Sequence, residues 1–301
     1  MAKTARGEKR HAGNAHARID AEGKHGSSCR ILGLACVRGF MQLAQDSVDK
    51  GWHEMNGGNI SYRLTEDEVK IVVKACPKPL TDWIDIGGSV PKLAGQFFIV
   101  TGTMRFIRNV VRNPEHAFGI VELDSTGTRY RIRWGLADGG RPTSEFAPHL
   151  RCHEIRMEKS GGANRVIYHC HPPAVIALTF ILPLTDKAFT RALWSAMTEC
   201  PIIFPEGVGV VKWMVPGKDD IARATQKLMA TYRCAIWAHH GVFCAGATYD
   251  QAFGLMETLV KSADIALRVM SSGRKVRQTI TSSDIRKIAR DFKLTLNEKF
   301  L

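Results

Sequence analysis

The chain has 301 residues, 45% of them hydrophobic and 24% charged. That balance excludes general disorder and provides a core that needs no disulfide staples. The formal net charge is +13, and residues 1–30 hold seven Lys/Arg against three acids. The field reads as solubility plus attraction for anions; no basic helix, zinc-finger spacing or aromatic–basic platform supports nucleic-acid binding, and a small anionic substrate such as a sugar phosphate fits the sign equally well.

No apolar run reaches the roughly 18 residues of a membrane-spanning helix. Val166 to Leu184 comes closest, but His169, His171, Pro172 and Pro173 interrupt it. The opening lacks the apolar stretch of a secretory signal. Eight cysteines without a C-x-x-C pair read as reduced thiols, mostly buried. The expected compartment is the cytoplasm, with no membrane association.

Residues 1–30 read as a flexible basic extension, and residues 31–301 as one domain. A helical period runs from Ile31 to Trp52 and ends at Gly51. Asn56-Gly57-Gly58-Asn59 is a turn leading into a strand over Ile60 to Leu64. Phe97 to Thr101 is a strand stopped by Gly102. Phe118–Asp124 and Thr128–Trp134 form a hairpin around Ser125-Thr126-Gly127. Ser144 to Ser160 reads as a helix capped by Ser144. Val166–Cys170 is a strand, Pro173–Leu182 a helix and Phe189–Cys200 another. Ile202-Ile203-Phe204 and Gly209-Val210-Val211 read as short strands. A helix follows from Asp219 to Thr231, then strands at Cys234–Ala238 and Val242–Cys244. Thr248 caps a long helix to Met270, and Ser282–Phe292 is the last. Hairpins scattered among helices predict an α/β fold: a three-layer α/β/α sandwich around a mainly antiparallel or mixed sheet.

The strongest chemical signal is Tyr168-His169-Cys170-His171. Residues i and i+2 of a strand share a face, so two imidazoles there can grip one metal. A third imidazole, from His239 or His240 at the end of a second apolar strand, would complete a three-His site with open positions, the arrangement of catalytic zinc. Spacing alone leaves both histidines available, and both could be ordinary turn residues. Pro142-Thr143-Ser144-Glu145 reads as a helix cap or as the source of a general base. Asn56-Gly57-Gly58-Asn59 and Thr101-Gly102-Thr103 are turns whose backbone N–H groups, amides and hydroxyls could cradle an oxyanion.

In this order, Asn56-Gly57-Gly58-Asn59, Val100-Thr101-Gly102, Pro142-Thr143-Ser144-Glu145, His169-Cys170-His171 and His240-Gly241 resemble the class II aldolase/adducin family. The likeness runs from about Ile31 to the C-terminus. Three further stretches, Asp124 to Leu136, Thr198 to Gly207 and Phe204 to Gly217, bring the chain close to bacterial members that cleave a phosphorylated ketose. The resemblance implies an α/β/α homotetramer with active sites at subunit contacts and one Zn²⁺ per subunit on His169, His171 and His240. It implies reversible cleavage of the ketose to dihydroxyacetone phosphate and an aldehyde. It makes Glu145 the catalytic carboxylate and Glu199 a proton-transfer group supplied from the neighbouring subunit. It assigns Asn56, Gly58, Asn59, Thr101, Gly102, Thr103, Thr143 and Ser144 to phosphate binding. Within the same scaffold, an aldolase or 4-epimerase of another phosphosugar (L-fuculose 1-phosphate, ribulose 5-phosphate) and a non-catalytic adducin-like protein are the alternatives. One departure stands out: Met104 occupies a glycine position of the family's phosphate loop, where a side chain would hinder close backbone approach.

Overall fold

The computed structural model describes residues 28–301. The expected extension therefore lies mostly outside the described residues; its last residues, 28–30, belong to a helical turn that runs on to residue 32. The cause is local anchoring. Ile31 is fully buried, and the Trp134 indole N–H donates to Ser28 Oγ at 3.1 Å. The first long helix, α1 (Ala35–Asp49), is shorter than the periodicity predicts. Leu34 is extended at its start, and Gly51 turns left-handed just beyond its end.

Nine strands among the described residues form one sheet: β1 (Asn59–Arg63), β2 (Ile84–Asp85), β3 (Phe97–Thr101), β4 (Phe118–Leu123), β5 (Arg129–Gly135), β6 (Val166–Cys170), β7 (Gly209–Val211), β8 (Cys234–Trp237) and β9 (Gly241–Gly246). Their spatial order is β2-β5-β4-β3-β1-β6-β9-β8-β7. Every neighbouring pair is antiparallel except β7–β8.

Helices cover both faces. Alternate strand residues divide between them, as the pleat requires. Val166, Tyr168, Val242 and Cys244 pack on one side with α1, α4 (Pro173–Ile181), α5 (Asp186–Ala196) and α8 (Tyr249–Ser271). Ile167, Phe243, Ala235 and Trp237 face α3 (Phe146–Lys159) and α7 (Asp219–Met229) on the other. With both faces covered, β6 is buried at every position, which explains why its residues are apolar apart from His169. Among the described residues no helix is long and apolar enough to cross a membrane.

Two local expectations are corrected, and one element is added. Residues 202–204 are not a strand: Ile202 and Ile203 end the short helix α6 (Glu199–Ile203). A β-branched apolar pair in a five-residue element carries no period to tell the two apart. Ser144 does not cap α3; Glu145 holds the N-cap position and makes no side-chain capping bond. An additional helix, α2 (Glu66–Ala75), opens on a capping box in which Thr65 and Glu68 satisfy each other's backbone N–H. The last helix, α9 (Ser282–Asp291), is where its pattern puts it.

Candidate active site

The register of β6 assembles the site. His169 lies opposite Asn59 on β1 and Phe243 on β9, and Cys170 lies opposite Val242. The Asn-Gly-Gly-Asn turn, the His-x-His strand end and the His-Gly turn therefore meet at one edge of the sheet. A second junction joins the remaining loops. Gly102 bridges Pro142, Thr103 N–H donates to the Arg141 carbonyl at 2.9 Å, and Thr143 N–H donates to the Thr101 carbonyl at 2.8 Å.

His169, His171 and His240 converge, with one ring nitrogen from each lying within 4.8 Å of the other two. His239 does not join them. It takes a left-handed φ of 58°, bonds Thr179 Oγ1 through Nδ1 at 3.1 Å and packs its ring on Phe180. The tautomers of the first two rings are set by their partners. Nδ1 of His169 donates to the Val242 carbonyl at 3.0 Å, and Nδ1 of His171 to Glu54 Oε1 at 2.6 Å. Each keeps Nε2 as a lone pair, and these two nitrogens stand 3.2 Å apart. Burial pushes His169 well below the usual histidine range and His240 down to about 4, so both rings are neutral. His240 Nδ1 is buried without a protein partner. Clustered imidazoles with an orphaned nitrogen fit a divalent cation, which takes up lone pairs that would otherwise face one another.

Glycine is required beside these rings. A Cβ on Gly57 would lie 2.5 Å from Glu54 Oε1 and 2.9 Å from His171 Cε1.

Glu145 is 7% exposed, and its Oε2 lies 3.6 Å from His169 Nε2. Burial raises its pKa, while the Asn59 Nδ2–H donated to Oε2 at 2.8 Å pulls the other way. A buried carboxylate so placed can take up a proton and return it. Asn59 Nδ2 also donates to Thr143 Oγ1 at 3.2 Å.

Two cavities meet at His171 and His240. The first, about 180 Å³, is lined by Asn56, Gly58, Asn59, Gly102, Thr103, Met104, Thr143, Ser144 and Glu145 among others, so it collects nearly all the expected phosphate residues. Thr101 is the exception. Its buried hydroxyl accepts from Ile60 N–H at 3.2 Å and lines neither cavity. The second cavity, about 600 Å³, adds Glu54, Ile176, Ala177 and Phe180 and is more apolar. Among the described residues neither is lined by Lys or Arg. Glu199 opens α6 as an exposed residue and lines neither cavity. Met104 is 73% exposed at a φ of 56°, so the loop keeps the backbone conformation glycine would give it. Glu54 escaped the sequence reading because its partner His171 is 117 residues away.

A profile of the Class II Aldolase and Adducin N-terminal domain matches residues 38–267. The chain belongs to that family. As a class II aldolase it is a lyase that breaks a carbon–carbon bond. Its relatives include a rhamnulose-1-phosphate aldolase of Mannheimia succiniciproducens, 46% identical over 265 residues that cover 88% of this chain and 97% of that protein. Another rhamnulose-1-phosphate aldolase, from Pectobacterium atrosepticum, is 43% identical over 88% of this chain and 96% of its own. Among solved structures, a sugar-phosphate aldolase from Thermotoga maritima superposes with a TM-score of 0.67 at 26% identity, over 80% of this chain and 97% of that one. The family thus confirms the expected α/β fold with its mostly antiparallel sheet.

Proposed function

We propose that the chain is a zinc-dependent aldolase that reversibly cleaves L-rhamnulose 1-phosphate to dihydroxyacetone phosphate and L-lactaldehyde, in rhamnose catabolism in the cytoplasm. The observation that carries the reading is the convergent His169–His171–His240 cluster with a buried carboxylate, Glu145, 3.6 Å from one of its ligating nitrogens. The choice of sugar rests on relatives at 42–46% identity that bear that substrate's name. Residues 31–301 form the catalytic domain, and residues 1–30 are an appendage to it.

His169, His171 and His240 hold the metal, with Val242 and Glu54 fixing the first two rings. When bound, the ion supplies Lewis-acid stabilisation of negative charge on the ketose oxygens. With the ion in that role no Schiff-base lysine is needed, and no lysine lines the cavities among the described residues. Glu145 takes the proton from the hydroxymethyl carbon of dihydroxyacetone phosphate in condensation and returns it after cleavage. Asn59 holds that carboxylate in place. The phosphate sits in the smaller cavity against Asn56, Gly58, Thr103, Thr143 and Ser144, where amide and hydroxyl donors receive it. The apolar wall of Ile176, Ala177 and Phe180 suits the methyl end of the aldehyde. Glu199, exposed on its own protomer, serves the site of a neighbour in a homotetramer.

The test is a coupled assay of dihydroxyacetone phosphate release from L-rhamnulose 1-phosphate and L-fuculose 1-phosphate, run beside an assay for 4-epimerisation of ribulose 5-phosphate, each with and without chelator. The expected result is preference for the first sugar and loss of activity on chelation, restored by zinc. Preference for another sugar, or chelator-resistant turnover, overturns the proposal.

A further inference from the structure

Behind Glu145 lies a line of buried polar side chains that the proposed chemistry does not touch. His149 and His153 follow Glu145 at four-residue intervals, so all three share one face at the start of α3. Asn59 and Ser61 share a face of β1. The two faces meet. Ser61 Oγ is 2.8 Å from His153 Nε2 and 2.6 Å from His149 Nδ1. His149 Nε2 bonds Asn59 Oδ1, and Asn59 Nδ2 bonds Glu145 Oε2 at 2.8 Å. Ser61, His149 and His153 are all buried.

The line has one self-consistent set of directions. A carboxylate only accepts, so Asn59 turns its NH₂ to Glu145 and its carbonyl to His149. His149 must then carry its proton on Nε2, which leaves Nδ1 to accept the Ser61 hydroxyl. The Ser61 oxygen in turn accepts Nε2–H of His153. Burial keeps both imidazoles neutral, His149 down to about 3 and His153 well below the usual range, which supplies the one donor and one acceptor each ring needs. Successive bonds that point the same way polarise one another.

An asparagine amide can turn end for end with almost no change of shape. The turned amide would set its oxygen against the Glu145 carboxylate. Thr143 Oγ1, the other neighbour of Asn59 Nδ2, can donate or accept and so does not discriminate. Apart from Glu145 itself, His149 Nε2–H is the neighbour that does. We infer that His149, held in one tautomer by Ser61 and His153, is a positioning residue that locks the Asn59 amide in the orientation that holds Glu145 for proton transfer. The inference rests on the reading of Glu145 as the proton-transfer group.

The test uses the metal-loaded protein. His149→Phe preserves the ring beside Phe243 and removes the Nε2 donor. Turnover of L-rhamnulose 1-phosphate is expected to fall by about 10–100-fold, the scale of one hydrogen bond to a charged group, while KM and metal content stay within about twofold. In the Glu145→Gln background the same substitution should add less than about threefold, because its target is gone. Wild-type turnover in His149→Phe, or a loss that multiplies undiminished onto Glu145→Gln, overturns the inference. Wild-type turnover in Glu145→Gln alone overturns the base assignment, and the inference with it. Should His149→Phe fail to fold, Ser61→Ala carries the test with the imidazole in place. Histidine ¹⁵N spectra should then lose the single Nε2–H tautomer of His149 as turnover drops by about 3–10-fold. An unchanged tautomer with unchanged turnover contradicts the relay.

Discussion

Replacing Gly241 by alanine puts a methyl group where the two histidine-bearing segments run closest. The added Cβ would fall on the Cys170 carbonyl oxygen, 2.8 Å from His171 Cδ2 and 3.1 Å from His169 Cε1. Gly241 has no left-handed φ, so alanine's own backbone preference is not at issue. Ordinary carbon–carbon contact is about 3.5–4.0 Å, so the His171 ring must retreat by roughly 0.7–1.2 Å. It is not free to do so: Glu54 holds its Nδ1, and His169 is stacked on Phe243 with ring centroids 4.2 Å apart. Metal–ligand distances tolerate only about 0.2 Å. We therefore expect zinc affinity to fall by at least about tenfold and stability by about 1–3 kcal/mol, as for overpacking. Gly254→Ala is the control: it lies in α8, and its Cβ meets nothing within 4 Å. Competition with a fluorescent chelator reads the affinity, and urea midpoints read the stability. Wild-type values for both in Gly241→Ala would refute the geometric reasoning.

Met104→Gly removes a side chain from a left-handed position that costs an L-residue about 1–2 kcal/mol; a lower KM for the phosphorylated substrate is expected, and a higher KM with a lower melting temperature would contradict it. His240→Ala should lose most of the zinc while His239→Ala keeps it, as metal analysis of the purified variants will show; the reverse pattern would transfer the third ligand to His239. The metal-free protein should weaken in acid. Burial lowers His53 to about 4 and His149 to about 3, against about 6.5 in the unfolded chain, so unfolding takes up protons below that pH. Neither group contributes a slope above pH 6.5. As the pH falls from there toward 4, each withdraws up to about 1.4 kcal/mol per unit, and urea midpoints that stay flat from pH 7 to 5 would contradict this.

The parts of the fold most legible in the sequence were those with a strong period or an unbroken apolar run. β3 and β6 have the bounds their sequences predict, and Thr248 caps α8 through Gln251 N–H as expected. The short, partly exposed elements were not legible. α2 buries little beyond Val72 and Ala75, so its pattern is faint, although its Thr65–Glu68 box is a start signal in plain view. At the site, the histidine motif was readable because both rings come from one strand end. Spacing alone did not choose His240 over His239; the family resemblance did, and in the structure the difference lies in the left-handed backbone of His239 just after β8. The Glu145, His149 and His153 spacing was visible as a helical stripe, but its meaning depends on β1 lying against it, a contact across 88 and 92 residues for Ser61.

On this reading, the three-histidine site and Glu145 together exchange a proton at the hydroxymethyl carbon of dihydroxyacetone phosphate. The exchange can be isolated from cleavage by incubating the zinc-loaded protein with dihydroxyacetone phosphate alone in D₂O and following the carbon-bound protons by NMR. We predict that the wild type replaces one hydroxymethyl proton with deuterium, that chelation stops the exchange, and that Glu145→Gln slows it by about 10²–10⁴-fold with zinc still bound. Exchange at the wild-type rate in Glu145→Gln, or in the chelated protein, would contradict the account.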